Sequence, residues 1–312
     1  MVAWQELLSE ANAAGSKYDV IRKRHLKRLS GYTKRNTIIY YSGWLQKPNL
    51  VQDPALPLGI TDADKNGFMS AIHKMDRDKG LDLVLHTPGG DMAATESLID
   101  YLRLTFGSNV RAIIPQIAMS GGTIMALSCN EIIMGKESSI GPIDPQYGGI
   151  AANALLAEFE RIRREIKDDP ANALLWQPTL SKIRPGFITE CESALKWSQQ
   201  MARRFLADCM FAGETNSRRK IDRIIKHLTE SPKTFNHGRH IGLTEAKSIF
   251  GGHVAELELD PRLQDLVLSV HHAAALTLQA TAAIKLIEND QGRAYMTMVQ
   301  LVAQPQPQPL PG

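Results

Sequence analysis

Cysteine is scarce in this 312-residue chain: Cys129, Cys191 and Cys209 are the full set. None stands in a CxxC pair, so neither a zinc site nor a disulfide framework is expected. An odd, sparse count fits a reducing cytoplasm. Each cysteine reads as a small core residue rather than a nucleophile. Long apolar runs are also missing. No stretch approaches the ~20 residues that a helix needs to cross a bilayer. The start, Met1-Val2-Ala3-Trp4-Gln5-Glu6, has no basic segment followed by an apolar one, which argues against a secretory signal peptide. The net charge of +3 is too small to argue for nucleic acid. There is no P-loop or dinucleotide fingerprint, and His271-His272 has no second ligand pair at helical spacing, so no metal and no cofactor are expected. From these absences a cytoplasmic location is expected, unless a partner holds the protein at a membrane.

What is present is ordinary for a globular protein: 43% hydrophobic and 22% charged residues, enough to bury a core at this length. Domains of about 100–200 residues give two units or one large one. The boundaries read as an N-terminal helical segment at 1–36, a main domain at 37–260, a C-terminal helix at 261–303 and a Pro/Gln tail at 304–312 that is expected to be disordered. A basic run, Arg22-Lys23-Arg24-His25-Leu26-Lys27-Arg28, lies in an amphipathic helix over 17–30. It reads as a solvated helix face, with peripheral contact to anionic lipid or phosphate as the alternative.

Thr37-Ile38-Ile39-Tyr40-Tyr41-Ser42 is β-branched and aromatic, which predicts a strand. Pro48, Pro54 and Pro57 mark a loop, and Thr61 or Asp62 can cap a helix to about Lys74. Three similar units follow. Leu81–His86 is a short apolar strand that breaks at Thr87-Pro88-Gly89-Gly90 and enters a helix over 92–106. Val110–Pro115 is a second strand, followed by a turn and a helix from Ser120 to Ser128. Glu131–Met134 is a third. Such alternation predicts an α/β architecture with a mainly parallel sheet. The C-terminal part reads as helical at 153–167, 187–211 and 216–228, with a Pro-rich break at 170–185. A short helix begins near Thr244, and a long one runs from Pro261 to about Ile287.

Two sharp turns lie where ligands collect in such sheets, at the carboxyl ends of strands. In the first, Gly89 and Gly90 leave backbone N–H groups unshielded at a helix start, a ready anion site. A plain strand-to-helix turn accounts for it equally well. In the second, Met119-Ser120-Gly121-Gly122, the serine sits where a helix begins. An N-cap serine is the simple reading. Against it stand the two glycines, poor helix formers, and the apolar flanks that would bury the turn. Acyl transfer needs a hydroxyl nucleophile, a base and two donors for the oxyanion. The N–H groups of Gly90 and Gly121 would be those donors if the turns lie side by side.

The order strand, TPGG, helix, strand, MSGG, helix resembles the Clp protease and signal peptide peptidase A superfamily, whose fold crotonases share. Tyr40-Tyr41-Ser42-Gly43-Trp44, Leu85–Gly90, Ala118–Thr123 and Ile140-Gly141-Pro142-Ile143-Asp144-Pro145-Gln146 most resemble the serine dehydrogenase proteinases. That resemblance covers about residues 20–150, with a weaker echo at 234–260. It implies a Clp protease/crotonase-like fold and a serine endopeptidase with a Ser, Asp, His triad. Ser120 would be nucleophile, Asp144 the acid, and His237 the base, with His240 in reserve. It also implies a protein or peptide substrate and a homo-oligomer, with contacts offered by the helices at 187–228 and 261–287.

The residues leave rivals open. A lysine serves as base if burial lowers its pKa, and Lys167 and Lys182 lie at suitable distances downstream. A crotonase-like acyl-CoA enzyme or a non-catalytic scaffold would use the same fold differently. His86, beside the first turn, either lines a pocket or is a buried histidine. Asp144 between Pro142 and Pro145 could equally be a turn former.

Overall fold

The computed structural model describes residues 18–51, 53, 55–230 and 238–299. Helix α1 (Tyr18–Thr33) leads into β1 (Asn36–Ser42), and α2 (Asp64–Ile72) into β2 (Leu81–His86). Then come α3 (Met92–Phe106), β3 (Val110–Ile114), β4 (Ile117–Ala118), α4 (Gly121–Leu127), β5 (Glu131–Met134) and β6 (Ser139–Ile140). A small hairpin, β7 (Gln146–Tyr147) and β8 (Ile150–Ala151), precedes four helices: α5 (Ala152–Asp168), α6 (Asn172–Leu180), α7 (Phe187–Asp208) and α8 (Ser217–Glu230). The chain closes through β9 (Ile241–Gly242), α9 (Leu243–Phe250), β10 (Val254–Glu256), α10 (Pro261–Ala280), β11 (Ala283–Asn289) and β12 (Ala294–Met298).

Seven strands form the main sheet in the order β10-β5-β3-β2-β1-β11-β12. The first five are parallel to one another; β11 and β12 add an antiparallel edge. Side chains alternate across each strand. Ile38 and Tyr40 therefore join the core beneath α2, α3, α4, α7 and α8, while Ile39 and Tyr41 join the core beneath α1 and α10. Both faces are covered, which is why the central strands are apolar runs rather than alternating ones. Asp82 is a charged exception within β2. Its buried carboxylate accepts hydrogen bonds from Arg35 Nε and Arg111 Nε, both at 2.8 Å. A second sheet, β4-β6-β9, stands at the carboxyl ends of the main strands.

The two strand–turn–helix units and the third strand, Glu131–Met134, match the sequence expectation closely, but several details differ. The predicted helix through Ile287 stops at Ala280, and Ala283–Asn289 becomes a strand buried along its whole length. Its apolar residues pair beside β1 instead of winding on, because tertiary pairing overrides local helix propensity. Residues 261–299 are thus a helix plus an antiparallel edge of the same sheet, and the rest of the expected 261–303 segment lies outside the described residues. Helix α10 is packed against α1 and the sheet, so its buried face is not available to another subunit. The Pro-rich break holds a helix, α6, despite Pro178. Neither Thr61 nor Asp62 caps α2; the carboxylate of Asp64 accepts Thr61 N–H instead. The basic run is only partly solvated. Arg22 is fully buried and pairs through Nε with Glu288, while Lys23, Arg24, Lys27 and Arg28 face outward.

Candidate active site

The two glycine turns meet. Thr87 N–H donates to Ile117 O at 3.2 Å, and Met119 N–H donates to Thr87 O at 2.9 Å. These bonds extend the β2–β4 contact past the ends of the strands. A Cβ placed on Gly89 would lie 2.7 Å from Ser120 Cβ and 2.8 Å from Gly121 N. One placed on Gly121 would lie 3.5 Å from Gly90 N. Among the described residues, neither Gly90 N–H nor Gly121 N–H donates to a protein acceptor. Two free amides therefore sit beside Ser120. Gly122 has a different cause: a Cβ there would meet the Thr87 methyl at 2.4 Å. The neighbouring turn takes the space that a side chain at this glycine would need.

Ser120 takes φ +49° and ψ −113°. Non-glycine residues rarely adopt such a conformation, and it costs on the order of 1–3 kcal/mol. Its side chain makes no N-cap hydrogen bond, so the capping role is ruled out. The half-buried hydroxyl lines a cavity of about 750 Å³. The walls include Gly90, Thr95, Gly121, Ile124, Ile143 and Trp197. Strand-to-helix geometry thus turns the serine outward into space large enough for a side chain and its flanking backbone.

Asp144 is fully buried in the loop behind that wall. Gln146 Nε2 donates to its Oδ2 at 2.7 Å. The loop is tied to the serine's own helix: Thr123 Oγ1 donates to Gly141 O and accepts from Gly141 N–H, each at 3.0 Å. Ser198 on α7 holds Ile143 O. Gln146 was not among the sequence candidates. Its place two residues after Asp144 was the available signal, but a sequence does not show which way an amide points.

His237 lies outside the described residues. The described chain before it is bonded to the Asp144 loop, and the described chain after it to the strand that leads into that loop. Ile143 N–H donates to Leu228 O at 3.2 Å, and β9 pairs with β6. His240 has its Nδ1 3.0 Å from Ser139 Oγ and lines a different cavity, of about 380 Å³, with Trp44 and Met119. The lysine alternatives fail on placement. Lys167 and Lys182 are exposed on the outer helical layer, and neither lines the Ser120 cavity; Lys182 borders another of about 460 Å³. The burial that a lysine base requires is missing from both.

His86 is buried below the first turn, against Tyr41, Trp44 and His271, with ring centroids 5.2, 4.5 and 5.3 Å away. It does not line the Ser120 cavity. Among the described residues neither ring nitrogen has a hydrogen-bond partner. Burial, reinforced by His271, holds its pKa well below the ordinary histidine value. The three cysteines are buried and unbridged. Among the described residues, no group of three or more His, Cys, Asp or Glu is gathered for a metal ion, and no helix is long and apolar enough to cross a membrane.

Comparison with known proteins adds to this geometry. Two uncharacterized proteins of Methanocaldococcus jannaschii are 36% and 37% identical to the chain, each over 110 residues. The shared stretch is 35% of this chain and 38% and 37% of those proteins. The family model of the ClpP-like SDH-type serine proteinases matches residues 19–177, which include both turns, Ser120 and Asp144. With half its length covered by that match, the chain belongs to the ClpP-like SDH-type serine proteinase family.

Proposed function

We propose that this protein is a serine peptidase in which Ser120 attacks the scissile carbonyl and the N–H groups of Gly90 and Gly121 hold the developing oxyanion. One observation carries the reading. The Ser120 hydroxyl, presented by a strained backbone and free of any cap, opens into a cavity beside two unbonded amides. Preorganised donors of this kind stabilise charge that exists only in the transition state. Asp144 is the acid that orients the base: it is buried, and its loop is hydrogen-bonded to the nucleophile's helix. His237 is the base, accepting the serine proton and returning it to the leaving amine. The hydrogen bond from the Asp144 loop to Leu228, before this segment, supports this choice over His240, which borders another cavity.

The substrate is a protein or peptide, and the enzyme works as a homo-oligomer. Leu174 and Leu175 on α6 stand 76% and 75% exposed, an apolar pair suited to contact between subunits. A monomer by light scattering would refute that part. The test of the chemistry is covalent. A fluorophosphonate should label the wild-type protein at Ser120, and Ser120→Ala should lose both labelling and peptide hydrolysis. Hydrolysis that survives in Ser120→Ala would overturn the proposal.

A further inference from the structure

The Gly89–Gly90 peptide is held by a loop that is distant in sequence. Ile60 N–H donates to Gly89 O at 2.7 Å, and Ile60 O accepts Asp91 N–H at 2.9 Å. A peptide unit is planar and trans, so its C=O and N–H point in opposite directions. Fixing Gly89 O on Ile60 therefore turns Gly90 N–H away from Ile60, toward the side where Ser120 and Gly121 lie. The approach is tight: a Cβ on Gly90 would fall 2.0 Å from Ile60 N, so only glycine admits this contact.

Ile60 is itself clamped from both sides. Lys285 Nζ on β11 donates to Gly59 O at 2.7 Å and to both Asp64 oxygens, at 2.8 and 2.9 Å. Asp64 Oδ2 accepts Thr61 N–H at 2.9 Å and Tyr40 O–H at 2.8 Å. Lys285 and Asp64 are each 1% exposed. A buried ion pair is a poor source of stability, because desolvation offsets most of the attraction. What this pair supplies is direction, since its charge-assisted bonds fix the carbonyl before Ile60 and the amide after it.

We infer that Lys285 and Asp64 are positioning residues that hold the Gly89–Gly90 peptide in the orientation oxyanion binding requires. The inference rests on the reading of Gly90 as an oxyanion donor. It adds a contribution from the antiparallel edge of the sheet, beyond the family-matched residues 19–177. The chain of contacts runs from Lys285 to Gly59, through Ile60, to Gly89 and so to Gly90 N–H.

The test uses the full chain and a fluorophosphonate, whose phosphonylation of serine, with loss of fluoride, also develops negative charge on an oxygen. Two variants are compared with wild type: Lys285→Met, and Lys285→Met with Asp64→Asn, which removes both charges and leaves neither one buried alone. The maximal labelling rate should fall at least ~tenfold with little change in the half-saturating probe concentration, the pattern of an interaction made only in the transition state. Hydrogen exchange should rise at 58–61 and 89–91 in the folded double variant. Wild-type labelling rates in that variant would overturn the inference and leave the peptidase reading standing. So would a slower rate without increased exchange at 89–91, or a loss seen only in half-saturation. A wild-type protein that is not labelled at Ser120 would remove the reading and this inference together.

Discussion

Gly89 and Ser120, 31 positions apart in sequence, lie so close that a methyl on the glycine would sit 2.7 Å from the serine Cβ. Gly89 also has φ +92°, where a side chain is strained. Gly89→Ala should therefore cost about 1–3 kcal/mol from the backbone alone and displace Ser120. The expected outcome is a folded but less stable protein, by urea denaturation, with fluorophosphonate labelling reduced by more than its loss of stability explains. Wild-type labelling in Gly89→Ala would show that the contact between the turns does not set the nucleophile.

Asp144 is buried and receives a hydrogen bond from Gln146. Asp144→Asn keeps the shape and removes the charge that would orient and stabilise a protonated base. Peptide hydrolysis should drop by about 10⁴-fold, the scale seen when a triad aspartate is made neutral. A loss under tenfold would remove Asp144 from the triad.

Lys167→Ala and Lys182→Ala should leave the hydrolysis rate within about twofold of wild type. Both are exposed, and surface changes of this kind usually cost little. A rate collapse in either variant, with folding intact by circular dichroism, would revive a lysine base.

His86 and His271 make stability depend on acid. Burial lowers both pKa values, that of His271 to about 3. Below the unfolded-state value of 6.5 the unfolded chain binds protons that the folded chain refuses. The His271 contribution should therefore be complete above about pH 6.5 and be lost as pH drops toward 3, by at most about 1.4 kcal/mol per pH unit, and His86 should add to the fall below pH 6.5. His86→Phe should make that fall shallower, and the ring nitrogens of His86 lose no described hydrogen bond in the change. Urea midpoints from pH 7 to 4 measure it. An unchanged slope would mean that His86 is not held neutral.

Local residues determined much of this protein. The apolar runs Leu81–His86, Val110–Ile114 and Glu131–Met134 could satisfy themselves only as buried parallel strands, and Asp91 marked the start of α3 by capping Ala94 N–H. The glycines of the two turns and the serine between apolar flanks pointed to Ser120, because these signals lie within a few consecutive residues.

Tertiary structure decided what depends on distant partners. Residues 283–289 are compatible with a helix until β1 offers an edge to pair with, and they then become β11. Arg22 reads as one more surface cation until Glu288 meets it 266 positions away. The orientation of Gly90 N–H depends on Ile60, and Ile60 on Lys285, none of them neighbours along the chain. Local sequence carries conformational preference within a few residues, whereas the direction of a hydrogen bond or the burial of a charge is set by whichever segment the fold brings against it.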